Sequence, residues 1–221
     1  MSGNGLAERW DAVLFDLDGT LADTVELILR CYRHTMLVHR GETIPDERWL
    51  ATIGTPLREQ LAAFATGPDE VALMAETYVA HQLEIHDRMV TPFPGAVELV
   101  GTLRASGVRI GVVTSKRRGM AVRTLERCGL GGAYDVLIGA DDVARPKPDP
   151  EPVRAARAHL GLDGDDPGRT LFVGDSPFDL RAGRGAGART GAALWGPYAR
   201  SSLEPEAPDY WLDALGDVLT L

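Results

Sequence analysis

Short apolar runs alternate with longer segments of helical periodicity over most of the chain. The fully apolar runs predict five buried strands, at Ala12–Phe15, Ile110–Val113, Val136–Ile138, Leu171–Val173 and Ala192–Leu194. The segments between them predict helices at Pro94–Ala105, Arg118–Cys128, Pro152–Leu160 and Phe178–Ala186. Continuous apolar strands that are separated by helices are typical of a parallel sheet with helices on both faces. The pattern therefore predicts an α/β fold.

The segment 24–89 breaks this alternation and predicts a helical insertion directly after the first strand. Asp23 and Glu26 have the spacing of a capping box, which would begin the first inserted helix. A later stretch places apolar residues on one stripe of a helix, namely Val71, Met74, Ala75, Tyr78, Val79 and Leu83. The prolines of Pro92–Gly95 mark the return to the sheet. We expect a core domain over 1–23 and 90–221 and a helical cap domain over 24–89.

Composition and charge narrow the range of partners. The 221 residues hold 23 Lys and Arg against 32 Asp and Glu, a net charge of −9, so the surface would repel nucleic acids and anionic membranes. The two cysteines, Cys31 and Cys128, lie far apart and predict no disulfide framework. The start of the chain lacks the apolar core of a signal peptide, and no apolar run approaches a membrane span. We therefore expect a cytoplasmic protein.

Two aspartates directly after the first strand are the most informative residues of the chain. Asp16 and Asp18 are two positions apart, so both side chains lean toward one face of the strand end. Crowded carboxylates repel each other unless a cation or a shared proton relieves them. An Asp-Gly turn explains Asp18-Gly19 alone, but it does not explain the second aspartate. The pair points to a magnesium site that also offers a nucleophilic carboxylate.

Three further polar motifs follow along the chain. Thr114-Ser115 comes after the second predicted strand, Lys147 lies among prolines, and Gly174–Asp179 follows the fourth strand. With Asp16–Thr20, these motifs resemble those of the haloacid dehalogenase-like hydrolases, in the branch with a helical cap, and they stand in that family's order. Within the family, the run 147–153 and the tail segments 195–198 and 208–212 resemble phosphoglycolate phosphatases and, in particular, a branch of inorganic pyrophosphatases.

The resemblance implies a Rossmann-like parallel sheet core with helices on both faces, an inserted α-helical cap, and Mg²⁺ as the cofactor. It implies that Asp16 is the nucleophile of an aspartyl-phosphate mechanism. Asp18 would be the general acid and base, and its backbone carbonyl would bind the metal. Thr114, Ser115 and Lys147 would bind the phosphoryl group. Asp175 would ligate the metal, and Asp179 would hold the metal or its waters.

Several of these residues have a plainer interpretation. Asp175 and Asp179 are also placed as a helix N-cap and a first-turn acid. Thr114 could cap the next helix, and most lysines like Lys147 are solvated. In the cap, Thr52–Arg58 resembles the family's loop that reaches the active site. Arg58 could contact a substrate carboxylate or second phosphate there, although an exposed arginine is an equal alternative.

Four functions stay open from the sequence. The first is a Mg²⁺-dependent phosphatase of small phosphomonoesters, similar to phosphoglycolate phosphatase, and the second is an inorganic pyrophosphatase with the same chemistry. A phosphosugar mutase has no specific support, and a non-catalytic phosphate-binding module should have lost one of Asp16, Asp18 or Asp175. Dehalogenase chemistry is disfavoured because it does not need Asp18 or the Asp175/Asp179 pair. The sequence predicts a small phosphorylated metabolite as the partner and leaves the oligomeric state open.

Overall fold

A six-stranded parallel sheet forms the centre of the computed structural model, which describes residues 4–221. The strands in chain order are β1 (Ala12–Phe15), β2 (Ala22–Asp23), β3 (Thr91–Pro92), β4 (Arg109–Val113), β5 (Val136–Ile138), β6 (Thr170–Gly174), β7 (Arg189–Ala193) and β8 (Tyr210–Leu212). The order across the sheet is β5-β4-β1-β6-β7-β8, and every neighbouring pair runs parallel. The predicted α/β fold is confirmed.

The helices divide between the sheet and the insertion. In chain order they are α1 (Asn4–Arg9), α2 (Val25–Arg40), α3 (Asp46–Leu50), α4 (Leu57–Ala62), α5 (Pro68–Met89), α6 (Ala96–Ala105), α7 (Arg118–Arg127), α8 (Glu151–His159), α9 (Pro177–Gly185) and α10 (Arg200–Leu203). Within residues 4–221, none of these helices has both the length and the apolar character that crossing a bilayer requires.

Strand β1 lies at the centre of the sheet and is buried on both faces. Val13 and Phe15 join one apolar cluster, while Ala12 and Leu14 join a second cluster on the opposite face. This alternation follows from the pleat of the strand, which points successive side chains to opposite sides. Its two neighbours in the sheet are β4 and β6, and the strands that follow β1 along the chain continue the sheet first on the β4 side and then on the β6 side. A ligand crevice is expected where the strand order reverses in this way, which is the carboxyl end of β1.

The predicted strands agree with the structure except at the far edge of the sheet. Strand β7 begins at Arg189, three residues before the predicted start, and ends at Ala193. Strand β8 was not predicted. Gly191 explains part of the difference, because a Cβ atom there would lie 2.9 Å from Leu212 Cδ1 on β8. The packing against β8 thus requires glycine at position 191, and this glycine interrupts the apolar run from which the start of β7 could have been predicted.

Helices α2 to α5 all lie within residues 24–89, the segment that is predicted as the cap and is called the cap from here on. Tyr32 and Trp49 stack in its core with ring centroids 4.4 Å apart. The predicted stripe on α5 is buried at Met74, Ala75 and Tyr78, whereas Leu83 is 46% exposed, so that prediction is wrong at its last residue. The two chain connections of the cap lie side by side, since β2 pairs antiparallel with β3.

The predicted capping box at the start of the cap is wrong. Helix α2 begins at Val25, and its N-cap residue is Thr24, whose side chain does not cap the helix. The Thr24 hydroxyl instead donates a hydrogen bond of 2.6 Å to Asp18 Oδ1. The hydroxyl that could have capped α2 therefore binds Asp18, which follows β1.

Candidate active site

The four motifs meet at the carboxyl edge of the sheet. Asp16 directly follows β1, Thr114 directly follows β4, and Asp175 directly follows β6. Lys147 comes from the loop that precedes α8, and Asp179 lies in the first turn of α9. Parallel strands bring their carboxyl ends to one edge, so these residues converge although they are far apart in sequence.

Lys147 lies at the centre of this group and is only 2% exposed. Its Nζ atom donates to Asp16 Oδ1 at 2.8 Å, to Asp179 Oδ1 at 2.5 Å and to the Val113 carbonyl oxygen at 3.2 Å. Burial disfavours the charged ammonium, but the attraction of the two carboxylates is larger and holds the pKa of Lys147 above its usual value. The lysine is therefore a fixed positive charge beside Asp16.

Three buried carboxylates crowd together at the same place. One oxygen from each of Asp16, Asp175 and Asp179 lies within 4.8 Å of the others. Burial, and then the neighbouring negative charges, raise the pKa of Asp175 well above its usual value. Burial likewise raises the pKa of Asp16 to about 7, against the opposing effect of Lys147. A single lysine does not balance three acidic groups.

The donor set fits a hard divalent cation. Asp175 Oδ1 accepts a hydrogen bond of 2.5 Å from the Thr20 hydroxyl, whereas the buried Oδ2 atom has no partner among the described residues. A buried acceptor without a partner is costly unless something else satisfies it. Carboxylate oxygens are ligands that Mg²⁺ prefers. Asp16, Asp175 and Asp179 could hold such an ion.

Two glycines permit the close packing around Asp175. A Cβ atom on Gly19, whose φ is +84°, would lie 2.6 Å from Asp175 Oδ2. A Cβ atom on Gly196 would lie 2.3 Å from Asp175 Cβ. Both distances are shorter than van der Waals contact, so the backbone comes as near to the carboxylate as it does only because these residues are glycines.

Asp179 also serves the helix that carries it. Its Oδ2 atom accepts hydrogen bonds from the backbone N–H and the hydroxyl of Ser176, which is the N-cap of α9. The N-cap is thus Ser176 rather than Asp175, and Asp179 completes a capping box. Both Asp179 oxygens are fixed by protein donors. Oδ2 accepts two hydrogen bonds, whereas Oδ1 accepts one, from Lys147, and retains a lone pair for a metal or a metal-bound water.

Asp18 contacts a lysine that the sequence analysis missed. Its Oδ1 atom accepts hydrogen bonds from Thr24 Oγ1 at 2.6 Å and from Lys116 Nζ at 2.5 Å. The side chains of Asp18 and Lys116 are both largely buried. The signal available in the sequence was position, because Lys116 continues the loop that begins with Thr114-Ser115.

The loop after β4 connects the sheet to the cap. Thr114 is buried, and its hydroxyl accepts the backbone N–H of Lys116 at 3.1 Å. It does not cap α7, whose N-cap is Arg117. The Ser115 hydroxyl donates to the Gly54 carbonyl oxygen of the cap at 2.5 Å. Ser115 therefore touches the cap segment that was predicted to reach the active site.

A second contact holds the same cap segment. The Tyr198 hydroxyl, from the loop after β7, donates to the Ile53 carbonyl oxygen at 3.0 Å. Gly54 has a φ of +106°, and a Cβ atom there would lie 2.7 Å from Ser176 Oγ and 3.0 Å from Phe178. Residues 52–55, the cap loop, thus lie directly against the core residues that surround the carboxylates.

Replacing Gly54 by alanine is expected to lift the cap loop away from the core. The added Cβ atom would collide with Ser176, and a small displacement near reacting groups lowers turnover by about 10-fold to 100-fold. Gly41→Ala is the matched control, because Gly41 also has a positive φ (+70°) in the cap but its Cβ would meet no atom of the described residues within 4 Å. Steady-state kinetics and thermal unfolding of both variants test this. Equal losses of activity in the two variants would contradict it.

Arg58 lies at the surface of the cap. It is exposed on α4 and lines a surface depression together with Ala62, Ala65, Thr66, Gly67, Pro68 and Val71. None of the clustered carboxylates lines this depression. Its predicted contact with substrate stays a prediction.

Comparison with known proteins gives a consistent result. Residues 13–193 match the profile of the family described as haloacid dehalogenase-like hydrolase. The pyrophosphatase PpaX of Bacillus velezensis is 38% identical over 213 residues, covering 96% of each chain. PpaX of Anoxybacillus flavithermus is 36% identical over 211 residues, again covering 96% of each chain. The crystal structure of CbbY from Rhodobacter sphaeroides in complex with phosphate has a TM-score of 0.80 at 26% identity and covers 96% of this chain and 100% of CbbY.

The family profile spans the strands and loops that carry all the clustered groups, from β1 to the end of β7. The relatives match across almost the whole chain, including the cap. The chain belongs to the haloacid dehalogenase-like hydrolases and is a hydrolase of that family.

Proposed function

We propose that this protein is a Mg²⁺-dependent phosphatase that works through an aspartyl-phosphate on Asp16, with inorganic pyrophosphate as its preferred substrate. The observation that carries the chemistry is the buried group in which Lys147 bridges Asp16 and Asp179 beside Asp175. A nucleophilic carboxylate needs a nearby positive charge so that an anionic phosphoryl group can approach it. Lys147 provides that charge in a fixed position.

Asp16 is prepared for attack by its hydrogen bonding. Lys147 binds Oδ1, while Oδ2 accepts no hydrogen bond from the described residues and is free to attack phosphorus. The bond from Asp16 to phosphorus forms as the bond to the leaving oxygen breaks, and Asp18 donates a proton to that oxygen. Water then attacks the aspartyl-phosphate, Asp18 takes its proton, and inorganic phosphate leaves.

The polar residues after β4 complete the phosphate site. Thr114 and Ser115 lie beside Asp16 at the strand ends, where a hydroxyl and a backbone N–H can donate to phosphoryl oxygens. Asp16, Asp175 and Asp179, with the Asp18 carbonyl, would hold the magnesium ion. When bound, the ion would neutralise charge on the phosphoryl group and on the crowded carboxylates.

Pyrophosphate as substrate is supported by the relatives. The curated proteins with 33–38% identity, including the two described above, are named as pyrophosphatases. The CbbY structure with phosphate shows that a related protein binds this group. Phosphomonoesters such as 2-phosphoglycolate are the alternative that the sequence resemblance supports.

The cap is proposed to act as a lid on this site. Residues 24–89 would move as one unit relative to a core of 1–23 and 90–221, with the paired strands β2 and β3 as the connection. The contacts of the cap loop with Ser115 and Tyr198 belong to the closed arrangement. Closure would exclude bulk water during phosphoryl transfer, and opening would release phosphate.

The test measures phosphate release from pyrophosphate and from 2-phosphoglycolate side by side, with Mg²⁺ and with EDTA. We expect kcat/KM to be at least about tenfold higher on pyrophosphate, because differential contacts of this kind discriminate small substrates by such factors. EDTA should abolish release from both. A higher kcat/KM on 2-phosphoglycolate would assign the protein to phosphomonoesters. Release that is unaffected by EDTA, or absent from a broad phosphoester panel, would overturn the proposal.

A further inference from the structure

A chain of buried polar groups runs from Asp18 to the end of the cap. Lys116 Nζ donates to Asp18 Oδ1 at 2.5 Å and lies 3.4 Å from Thr124 Oγ1 on α7. The same threonine hydroxyl lies 2.9 Å from His86 Nε2, in the last turn of the cap helix α5. These hydrogen bonds therefore connect the loop after β1, the loop after β4, the core helix α7 and the cap.

The donors and acceptors in this series of hydrogen bonds determine which atom carries the proton in each bond. Burial lowers the pKa of His86 below its usual value, which favours the neutral ring with one donor nitrogen and one acceptor nitrogen. Its Nδ1 atom lies 2.7 Å from Asp87 Oδ1, which can only accept, so Nδ1 carries the proton. Nε2 then accepts from Thr124, whose oxygen accepts from Lys116. Arg123 closes the chain with two bonds of 2.9 Å to Asp87.

The hydrogen bonds to Asp18 distinguish its two oxygens. Thr24 and Lys116 both donate to Oδ1, whereas Oδ2 accepts no hydrogen bond from the described residues. Two donors on one oxygen restrict rotation of the carboxylate about its terminal torsion, which is otherwise broad. Oδ2 is thus the atom that is available to exchange a proton.

We propose that Lys116 is a positioning residue that holds Asp18 by Oδ1 so that Oδ2 faces the reacting oxygen. This inference rests on the proposed function, because it assigns a geometry to the general acid of that mechanism. Lys116 differs in task from Lys147, which lies on Asp16 and Asp179 and does not contact Asp18. Thr124 Oγ1 accepts a second hydrogen bond from the ammonium of Lys116, and His86 in turn holds Thr124.

The first experiment compares Lys116→Met with Arg117→Met on pyrophosphate. Arg117 is the next residue in the chain, and among residues 4–221 its exposed side chain pairs only with Asp141, so the control removes the same charge without touching Asp18. We expect Lys116→Met to lower kcat by about 10-fold to 100-fold, as for partial loss of acid–base catalysis, with KM within about threefold of wild type. Arg117→Met should keep both parameters near wild type.

A second readout separates positioning from general structural damage. The leaving group of p-nitrophenyl phosphate needs little protonation, whereas the alkoxide of 2-phosphoglycolate must be protonated as it departs. A misplaced general acid should therefore lower kcat/KM about tenfold more on 2-phosphoglycolate than on p-nitrophenyl phosphate. Lys116→Arg keeps the positive charge and should recover part of the loss. The same comparison of the two esters is made with Lys116→Arg if Lys116→Met does not fold.

The outcomes distinguish this inference from the proposed function. A Lys116→Met loss that is equal on both esters, or that appears mainly in KM, would overturn the positioning role. If Asp16→Asn remains active in the same assay, the aspartyl-phosphate mechanism itself fails. If Asp16→Asn is inactive and Lys116→Met behaves as wild type, only the role of Lys116 fails.

Discussion

Asp16→Asn is expected to lower phosphate release by at least about 10⁴-fold, as for loss of a nucleophile in other enzymes. The amide keeps the shape of the side chain, but it cannot form the acyl-phosphate. The fold should persist, because the substitution removes a buried carboxylate whose pKa burial has raised to about 7. Release of phosphate at saturating substrate and thermal unfolding in EDTA measure the two effects.

Asp11→Asn is the matched control for this variant. Asp11 lies just before the opposite end of β1 and forms two hydrogen bonds with Arg169, away from the carboxylate cluster. It should cost at most about 1 kcal/mol of stability, as for a partly exposed ion pair, and leave turnover near wild type. Near-normal turnover by Asp16→Asn would contradict its role as nucleophile.

Lys147→Met is expected to damage both activity and stability. It leaves Asp16 and Asp179 as buried carboxylates without their shared cation, and breaking a buried ion pair in this way costs about 3–5 kcal/mol. Loss of the fixed charge beside the phosphoryl group should lower kcat by about 10²-fold to 10³-fold. Denaturant unfolding in EDTA and steady-state kinetics with Mg²⁺ measure these effects.

The control for Lys147→Met lies in the same loop. Arg145 is 70% exposed and pairs at the surface with Glu151, so Arg145→Met should change stability by less than about 1 kcal/mol. If Lys147→Met is as stable and as active as Arg145→Met, the site does not depend on the positive charge of Lys147.

Much of this site could be predicted from the sequence because its residues lie at strand ends. Apolar runs such as Ala12–Phe15 locate the strands, and parallel strands bring their carboxyl ends together without further information. Asp16, Thr114 and Asp175 each follow such a run, so the sequence alone indicates that they lie close together. The structure places all three at one edge of the sheet.

The remainder depends on contacts between distant segments, which local patterns do not encode. Lys116 is polar and lies in a loop, as a solvated lysine does, and only its approach to Asp18 distinguishes it. The Asp23–Glu26 spacing predicts a capping box at the start of α2, but the N-cap residue is Thr24, and its hydroxyl donates to Asp18 instead of capping the helix. At the edge of the sheet, Gly191 interrupts the apolar run because Leu212 occupies the space of its side chain.

The pairing of β2 with β3 has a consequence for how such a protein can be altered. Ala22 lies opposite Pro92 and Asp23 opposite Thr91, so the chain leaves and re-enters the sheet domain at adjacent points. Neighbouring antiparallel strands are about 5 Å apart, a gap that a two-residue hairpin turn can close. We therefore expect the cap to be exchangeable: another insert grafted at this one point should leave the strand order intact while changing what reaches Asp16.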